Sequence, residues 1–198
     1  MIVYTASDGI PVAPQRKWYG IRMIAFSNAP VPAPWERWPL PRHDDPCRAA
    51  KRPKILPWDF LPDWDRCLWI DANLILRKNP INTRFPIAIH QHRHRDCVYD
   101  EAQVCIKLGK DNADTINGQM ERYRQSGYLE HAGLWECGVI YRDNRADVES
   151  LCRDWWAEIE AGSRRDQLSL PFVVQNYPEI RPRSLGDHIW KSGWVKKW

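Results

Sequence analysis

The sequence has no long hydrophobic run, and about 18 consecutive apolar residues would be needed for a membrane-spanning helix. Its first residues, MIVYTASDG, lack the basic start and apolar stretch of a secretion signal. The six cysteines form no C-x-x-C pair, which argues against a zinc ribbon and is typical of free thiols in a reducing compartment. These absences predict a cytoplasmic protein without a membrane span.

Three common site motifs are also missing. There is no G-x-G-x-x-G, no G-x-x-x-x-G-K-[ST] and no G-x-S-x-G, so dinucleotide folds, P-loops and hydrolase nucleophile elbows have no support. Charge is close to balanced, because 29 Lys and Arg face 25 Asp and Glu, and no long basic run occurs. The net charge of +4 is too small for a nucleic-acid-binding surface, but it suits a small anionic ligand.

What is present is a globular composition in a chain of ordinary domain length. Hydrophobic residues make up 43% of the 198 residues, enough for a substantial core. We find no repeat, low-complexity tract or flexible linker that would divide the chain. We therefore expect a single domain over residues 1–198. The twelve tryptophans are more simply explained by packing than by stacking on sugars or bases.

Predicted strands alternate with predicted helices along the chain. Strands are expected at 2–6, 22–28, 66–76, 85–94 and 133–143. Helices are expected at 47–56 (broken at Pro53), 96–110, 113–127, 146–162 and 166–176 (interrupted at Pro171). The proline-rich stretch 31–46 should be an irregular loop. This alternation predicts an α/β fold with a mainly parallel central sheet flanked by helices.

The stretch RCLWIDANLIL places an acid and an amide, Asp71 and Asn73, inside an apolar strand pattern. In a strand, residues two apart point to the same side, so these side chains should project together. At the carboxyl end of a parallel strand they would face the crevice where open α/β sheets bind ligands. There they could hold a divalent cation that neutralises a diphosphate. A turn or capping role is the plain alternative.

A second polar cluster lies in IHQHRHRD. His90, His92 and His94 alternate, so an extended strand would place all three on one side, a geometry compatible with zinc. This pattern suggests a metal-dependent hydrolase. An ion-paired structural cluster at the start of the following helix explains the same residues without a metal.

Five stretches, in order, resemble a glycosyltransferase-like family long described as a domain of unknown function, which includes plant proteins of mucilage formation and turgor regulation. They are DPCRAAKRPKILP, WIDAN, HRHRDCVYDEAQVCIKLGKD, GLWECGVIYRDN and SRRDQLSL, between residues 45 and 170. A second resemblance, to GT-A glycosyltransferases of the glycogenin and galactosyltransferase group, rests on KRPKILPWDFLPDWDRCLWIDANLIL, GLWECGVIYRDN, RRDQLSL and HIWKSGWVKKW at 188–198. The resemblance implies a GT-A-like, Rossmann-like domain.

The resemblance also implies a ligand set. The donor would be a nucleotide-diphosphate sugar, the acceptor an unidentified glycan, lipid or protein, and the cofactor Mn²⁺ or Mg²⁺. Asp71 would match the first acid of a D-x-D motif, and Asn73 stands where the second acid would be. His188 would match a C-terminal metal ligand, and Lys196 would contact the diphosphate.

Further site residues follow from the same resemblance. Asp166 and Glu136 would be the catalytic pair that positions the sugar and acceptor, although a helix cap and a buried ion pair are their plain alternatives. The remaining residues expected to bind the nucleotide sugar are Lys51, Lys54, Arg95 and Gln167.

Three hypotheses therefore stand. The first is a glycosyltransferase, divalent-metal assisted. The second is a metal-dependent hydrolase of the amidase or ceramidase type that uses His90, His92 and His94. The third is a non-catalytic nucleotide-sugar-binding module, because Asn73 replaces an acid.

Overall fold

The computed structural model describes residues 1–79, 84–186 and 189–198. The strands are β1 (Ile2–Ser7), β2 (Arg22–Ser27), β3 (Glu36–Trp38), β4 (Arg66–Ile70), β5 (Leu74–Leu76), β6 (Ile87–Gln91), β7 (Trp135–Asp143) and β8 (Val195–Lys197). The helices are α1 (Pro46–Ile55), α2 (Val98–Lys107), α3 (Ala113–Gln125), α4 (Ala146–Ala161) and α5 (Asp166–Val174), with 3-10 turns at Pro57–Asp59 and Pro178–Ile180. Among the described residues, no helix is both long enough and apolar enough to cross a membrane.

The central sheet has six strands in the described part of the chain, in the order β3-β2-β1-β4-β7-β6. The first four run parallel, whereas β7 is antiparallel to both β4 and β6. Every residue of β1 is buried, as expected for a parallel strand covered on both faces. The predicted α/β fold with a mainly parallel sheet is confirmed.

The two faces of this sheet bury different side chains. Tyr4, Trp69 and Ile140 belong to a core that includes Trp155 of α4, which has no exposed surface. Alternate residues of the same strands belong to a second core, which also takes in residues of β5 and β8. The central sheet therefore separates two packed layers.

Two prolines lie inside continuous helices, although the sequence predicted breaks there. Pro53 is the eighth residue of α1, and Pro171 is the sixth of α5. Proline removes one backbone hydrogen bond to the carbonyl four residues earlier. Both helices continue through the proline and end two or three residues after it, so each ring affects only the bond to the preceding turn near the C-terminal end of its helix.

The stretch predicted as one strand over 66–76 is two strands in different sheets. β4 ends at Ile70, and the Leu74 backbone N–H donates to the Asp71 carbonyl at 2.9 Å, which closes a turn before β5. β5 then pairs with β8 in a separate two-stranded antiparallel sheet. The sequence also did not predict β3, which pairs with β2 inside the proline-rich stretch.

Candidate functional site

A polar cavity of about 310 Å³ lies at the carboxyl end of β4, where the N-terminal half of β7 and the N-terminus of α5 also meet. Its lining combines acids, cations and amides from elements far apart in the sequence. The lining residues are Lys51, Lys54, Asp71, Asn73, Leu74, His92, Glu136, Cys137, Gly138, Arg165, Asp166, Gln167, Ile189 and Trp190. The cavity thus brings together seven of the residues predicted from the sequence.

Asp71 and Asn73 reach this cavity from a turn and not from a strand. The predicted alternation along one strand is therefore wrong, because β4 ends one residue before Asp71. Asp71 Oδ1 accepts hydrogen bonds from Trp69 Nε1 at 2.8 Å and from Lys54 Nζ at 3.2 Å. Asn73 is exposed, and its backbone carbonyl accepts from the N–H of Trp198 at 2.9 Å.

The two lysines of α1 meet Asp166 at the start of α5. Lys51 Nζ lies 2.9 Å from Asp166 Oδ1, and Lys54 Nζ lies 2.7 Å from Asp166 Oδ2. Lysines three residues apart share one helix face, so a single carboxylate can contact both. The Lys54 side chain is 5% exposed and that of Asp166 is 4% exposed. Lys54 therefore does not lie on a solvent-exposed face of α1, and the Asp166 side chain forms ion pairs instead of the helix cap that was its plain alternative.

This pairing determines the ionisation of both partners. Burial alone would raise the pKa of Asp166, but Lys51, Lys54 and Arg165 hold that pKa well below its usual range. Burial alone would lower the pKa of Lys54, but Asp166 and Asp71 raise it above its usual value. Both groups are therefore charged at neutral pH. The site contains a buried, ordered network of cations and carboxylates.

Glu136 and Gln167 connect the cavity wall to its surroundings. Glu136 Oε2 accepts a hydrogen bond from the backbone N–H of Ile189 at 3.0 Å, so this carboxylate holds the C-terminal segment against β7. Gln167 Nε2 donates to the backbone carbonyl of Trp135 at 3.0 Å. Gln167 Oε1 accepts a hydrogen bond from the Arg165 guanidinium at 3.3 Å, and both Glu136 and Gln167 line the cavity.

Two of the predicted site residues that the structure describes are not part of this arrangement, and a third is not among the described residues. Arg95 pairs with Glu101, with Nε 2.6 Å from Oε2, and lines a neighbouring cavity of about 600 Å³. Lys196 is exposed on β8 and is not among the residues that line the polar cavity. His188 lies outside the described residues.

The three predicted histidine ligands do not form a metal site. β6 ends at Gln91, so the alternation that would align His90, His92 and His94 stops before His92. His92 Nδ1 lies 3.1 Å from the backbone N–H of Arg95, and burial lowers the pKa of His92. His90 is fully buried and His94 is exposed. The hydrolase hypothesis thereby loses the geometry that motivated it.

The described residues also do not fit a divalent-cation site at the predicted position. Across residues 1–79, 84–186 and 189–198, no group of three or more His, Cys, Asp or Glu side chains is placed to hold a metal ion. Asp71 is already ion-paired with Lys54, and Asn73 contributes only a neutral amide oxygen. Binding of Mn²⁺ or Mg²⁺ stays a prediction from the resemblance.

A second, more apolar cavity of about 460 Å³ adjoins the first. The end of β1 and the loop after it line one wall, and the first turns of α1 line another. The two cavities share Lys51, Lys54, Asp71 and Asn73. The lysines and Asp71 therefore stand at the junction of an apolar and a polar compartment.

Sequence reasoning missed several residues of the polar cavity, among them Gly138, Arg165 and Trp190. One of them carried a readable signal, because a glycine inside a strand often marks a close approach of another group. At Gly138 an added Cβ would lie 2.9 Å from Ile189 Cδ1 and 3.3 Å from Asp71 Oδ2. The missing side chain thus leaves room for the Asp71 carboxylate.

Comparison with known families gives one match. The model of the family described as "TOD1/MUCI70, glycosyltransferase-like domain" matches residues 40–185, which is most of the chain. The matched span contains both lysines, the Asp71 turn, Glu136 and Asp166. No curated protein matches the chain.

Proposed function

The chain belongs to the TOD1/MUCI70 glycosyltransferase-like family, and from this premise we propose that it transfers a sugar from a nucleotide-diphosphate sugar to an acceptor. Membership of this family is the relationship that the sequence motifs predicted. The observation that carries the proposal is the ion-pair network at the carboxyl end of the parallel strands, in which the mostly buried Lys51, Lys54 and Asp166 meet the partly exposed Asp71.

Position and charge both favour a nucleotide diphosphate at this network. Open α/β sheets bind ligands in the crevice outside the carboxyl ends of their strands. Breaking the bond from a sugar to a diphosphate places negative charge on the departing phosphate oxygens. Fixed cations at that place stabilise the transition state more than the ground state. Lys51 and Lys54 supply such cations in a largely water-excluded setting.

The paired cavities suggest how the donor would lie. The apolar cavity of about 460 Å³ has the size of a small-ligand site and offers packing surface for a nucleoside. The polar cavity of about 310 Å³ offers carboxylate and amide oxygens for sugar hydroxyls. With the nucleoside in the first cavity and the sugar in the second, the diphosphate would cross the lysines at their junction.

Within the polar cavity, Asp166 and Glu136 are the proposed catalytic pair. Asp166 is ionised and fixed by both lysines, so it would accept hydrogen bonds from sugar hydroxyls in a set orientation. Glu136 has one oxygen bound to the Ile189 backbone, and its other oxygen would orient the acceptor or take its proton. The acceptor is a glycan, lipid or protein.

A thermal-shift panel of UDP-, GDP-, ADP- and dTDP-sugars tests this proposal, each with Mn²⁺ and with EDTA. A donor at about 100 times its Kd stabilises a protein by about 2.7 kcal/mol. For a chain of this size, that stabilisation corresponds to a rise in Tm of roughly 5–10 °C. We expect at least one nucleotide class to give this rise, and release of nucleoside diphosphate should then identify turnover.

Two results of that panel would change the proposal. If no donor raises Tm under either condition, the glycosyltransferase proposal is wrong. If a donor binds but is never turned over with any acceptor offered, the chain is a nucleotide-sugar-binding module, as Asn73 in place of an acid first suggested.

The close approach at Gly138 gives a mutational prediction. A Gly138→Ala variant should displace the Asp71 carboxylate or Ile189, because the new methyl group would lie 2.9–3.3 Å from them. A misplacement of about 1 Å at a reacting site can lower turnover roughly 100-fold, so we expect a tenfold to 100-fold loss of turnover. Gly118→Ala on α3 is the matched control, since nothing lies within 4 Å of its added Cβ. Equal turnover in Gly138→Ala and Gly118→Ala would show that turnover does not depend on the position of the Asp71 carboxylate beside Gly138.

A further inference from the structure

We propose that the ammonium group of Lys54 occupies the role of the divalent cation in this site, so that the nucleotide diphosphate is bound without a metal ion. This inference rests on the proposed function, and it specifies how that function would be carried out. It departs from the Mn²⁺ or Mg²⁺ expected from the resemblance to metal-dependent glycosyltransferases.

The first support is the position of the Lys54 ammonium. Its Nζ lies 3.2 Å from Asp71 Oδ1 and 2.7 Å from Asp166 Oδ2, so it sits between the two carboxylates as a bound cation would. Its side chain is almost completely buried, and the indole ring of Trp69 lies beside it, with the ring centroid 5.3 Å from Nζ. The same indole donates its Nε1–H to Asp71 Oδ1. Packing and hydrogen bonds therefore fix the cation in place.

The second support is the state of the acids that a metal would need. Asp71 is engaged by Lys54, and Asn73 stands where a second acid would be. A divalent cation on the Asp71 carboxylate would lie within a few ångströms of the Lys54 ammonium, which is 3.2 Å from Oδ1. Two like charges this close repel each other. The described residues thus favour the lysine over a metal at this position.

The third support is the charge that remains for a ligand. The three cations and three carboxylates that line the polar cavity balance each other. At the junction with the apolar cavity, however, Lys51 and Lys54 are shared with one carboxylate, Asp71. Lys51 is tied to Asp166 alone by the ion pairs described, and its side chain is 12% exposed. A diphosphate entering the junction of the two cavities would meet this excess positive charge.

The chemical step balances without a metal. The bond between the anomeric carbon and the diphosphate oxygen breaks, and its electron pair stays with the nucleoside diphosphate. An acceptor oxygen forms the new bond to the anomeric carbon, and its proton passes to a base such as Glu136 or to solvent. Lys54 and Lys51 offset the charge that collects on the departing diphosphate.

Calorimetric titration of the wild-type protein with UDP, GDP and ADP, in EDTA and in Mn²⁺, tests the inference. For the nucleotide that binds, we expect the Kd values in EDTA and Mn²⁺ to agree within about threefold. We also expect that Mn²⁺ alone, titrated into the wild-type protein, does not bind stoichiometrically. Stoichiometric Mn²⁺ binding that an Asp71→Asn variant loses would contradict this expectation. Binding that needs Mn²⁺ would overturn this inference and leave the glycosyltransferase proposal standing. Absence of binding under both conditions would overturn both.

Two lysine variants separate the cation from its surroundings. Lys54→Met should weaken nucleotide binding in EDTA by roughly 30-fold or more, as expected when one partner of a buried charge pair is truncated. Lys107→Met, an exposed position on α2, removes the same charge and should leave Kd unchanged. Lys51→Met provides a second measurement if Lys54→Met does not fold, because the Lys51 side chain is less buried than that of Lys54. The Lys51→Met substitution should also weaken nucleotide binding in EDTA. Wild-type affinity in Lys54→Met, or in Lys51→Met if Lys54→Met does not fold, would overturn the inference.

Discussion

An Asp166→Asn variant should lose about 3–5 kcal/mol of unfolding free energy together with nearly all transfer activity. Asparagine keeps the size of the side chain but removes the charge that faces Lys51 and Lys54. Lys54 is nearly buried, so its ammonium would be left with Asp71, which is 43% exposed, as its remaining carboxylate. Urea unfolding at pH 7 measures the first loss, and nucleoside diphosphate release measures the second.

Glu36→Gln is the matched control for this change. This substitution also removes an ion-paired carboxylate, since Glu36 Oε2 lies 2.6 Å from Arg22 Nη2. Both of these side chains, however, are more than 40% exposed. Exposed pairs contribute about 0–1 kcal/mol, so this variant should unfold close to the wild type. If Asp166→Asn were no more destabilising than Glu36→Gln, the buried network would not be the structural element described above.

The pKa of Asp166 predicts how the difference in unfolding free energy between the wild type and Asp166→Asn depends on pH. The pKa of Asp166 is lower in the folded than in the unfolded chain, so its contribution to stability is fully present above the ordinary carboxyl range. That contribution is lost as pH falls from about 4 towards the lower folded pKa. The stability difference between wild type and Asp166→Asn should therefore narrow below about pH 4. A constant difference down to pH 2 would contradict this assignment.

A Trp155→Ala variant should be comparably damaging, with a loss of about 3–5 kcal/mol of unfolding free energy. The Trp155 side chain is fully buried in the core on the α4 side of the sheet. Its Nε1 lies 3.0 Å from the backbone carbonyl of Asp166 and 3.1 Å from Ser169 Oγ. The substitution therefore leaves a large cavity and also releases the first turn of α5.

Two further variants separate packing from positioning. Trp156→Ala changes the same residue type on the same helix, but at a half-buried position, so its loss should be clearly smaller. Trp155→Phe keeps an aromatic ring and removes the N–H that holds α5. We expect it to unfold at intermediate denaturant concentration and to weaken donor binding, because Asp166 begins that helix. Donor affinity equal to the wild type in Trp155→Phe would show that this hydrogen bond does not position the site.

The sequence predicted the fold class and the region of the site, because both depend on patterns that are local or ordered along the chain. Strand and helix alternation was sufficient for the mainly parallel sheet. The motif order located Asp71 and Asp166. Asp71 and Asn73 do line one cavity, but the alternation argument that placed them together is wrong, since a period of two holds only inside a strand and β4 ends at Ile70.

Tertiary pairing explains what could not be predicted. The spacing of Lys51 and Lys54 shows that they share a helix face, but nothing local indicates that their partner is Asp166, 115 residues beyond Lys51. The prediction that His90, His92 and His94 lie on one side of a strand is wrong for a similar reason, because the end of β6 at Gln91 depends on its pairing with β7. β8 was missed because three residues that pair with a distant strand carry little pattern of their own.

The two-stranded β5–β8 sheet has a consequence for how the molecule would lose its activity. It joins parts of the chain that are 119–123 residues apart, and the Trp198 N–H donates to the Asn73 carbonyl beside the cavity. Its two strands bury side chains on one face only, through Leu74, Leu76 and Val195 in the second core, whereas the central sheet is packed on both faces. Local opening of β5 and β8 would therefore require less free energy than global unfolding. On heating, the proposed activity would then be lost at a temperature below the Tm of the whole protein. The stability of this small sheet, and not that of the core, would set the highest temperature at which the protein works.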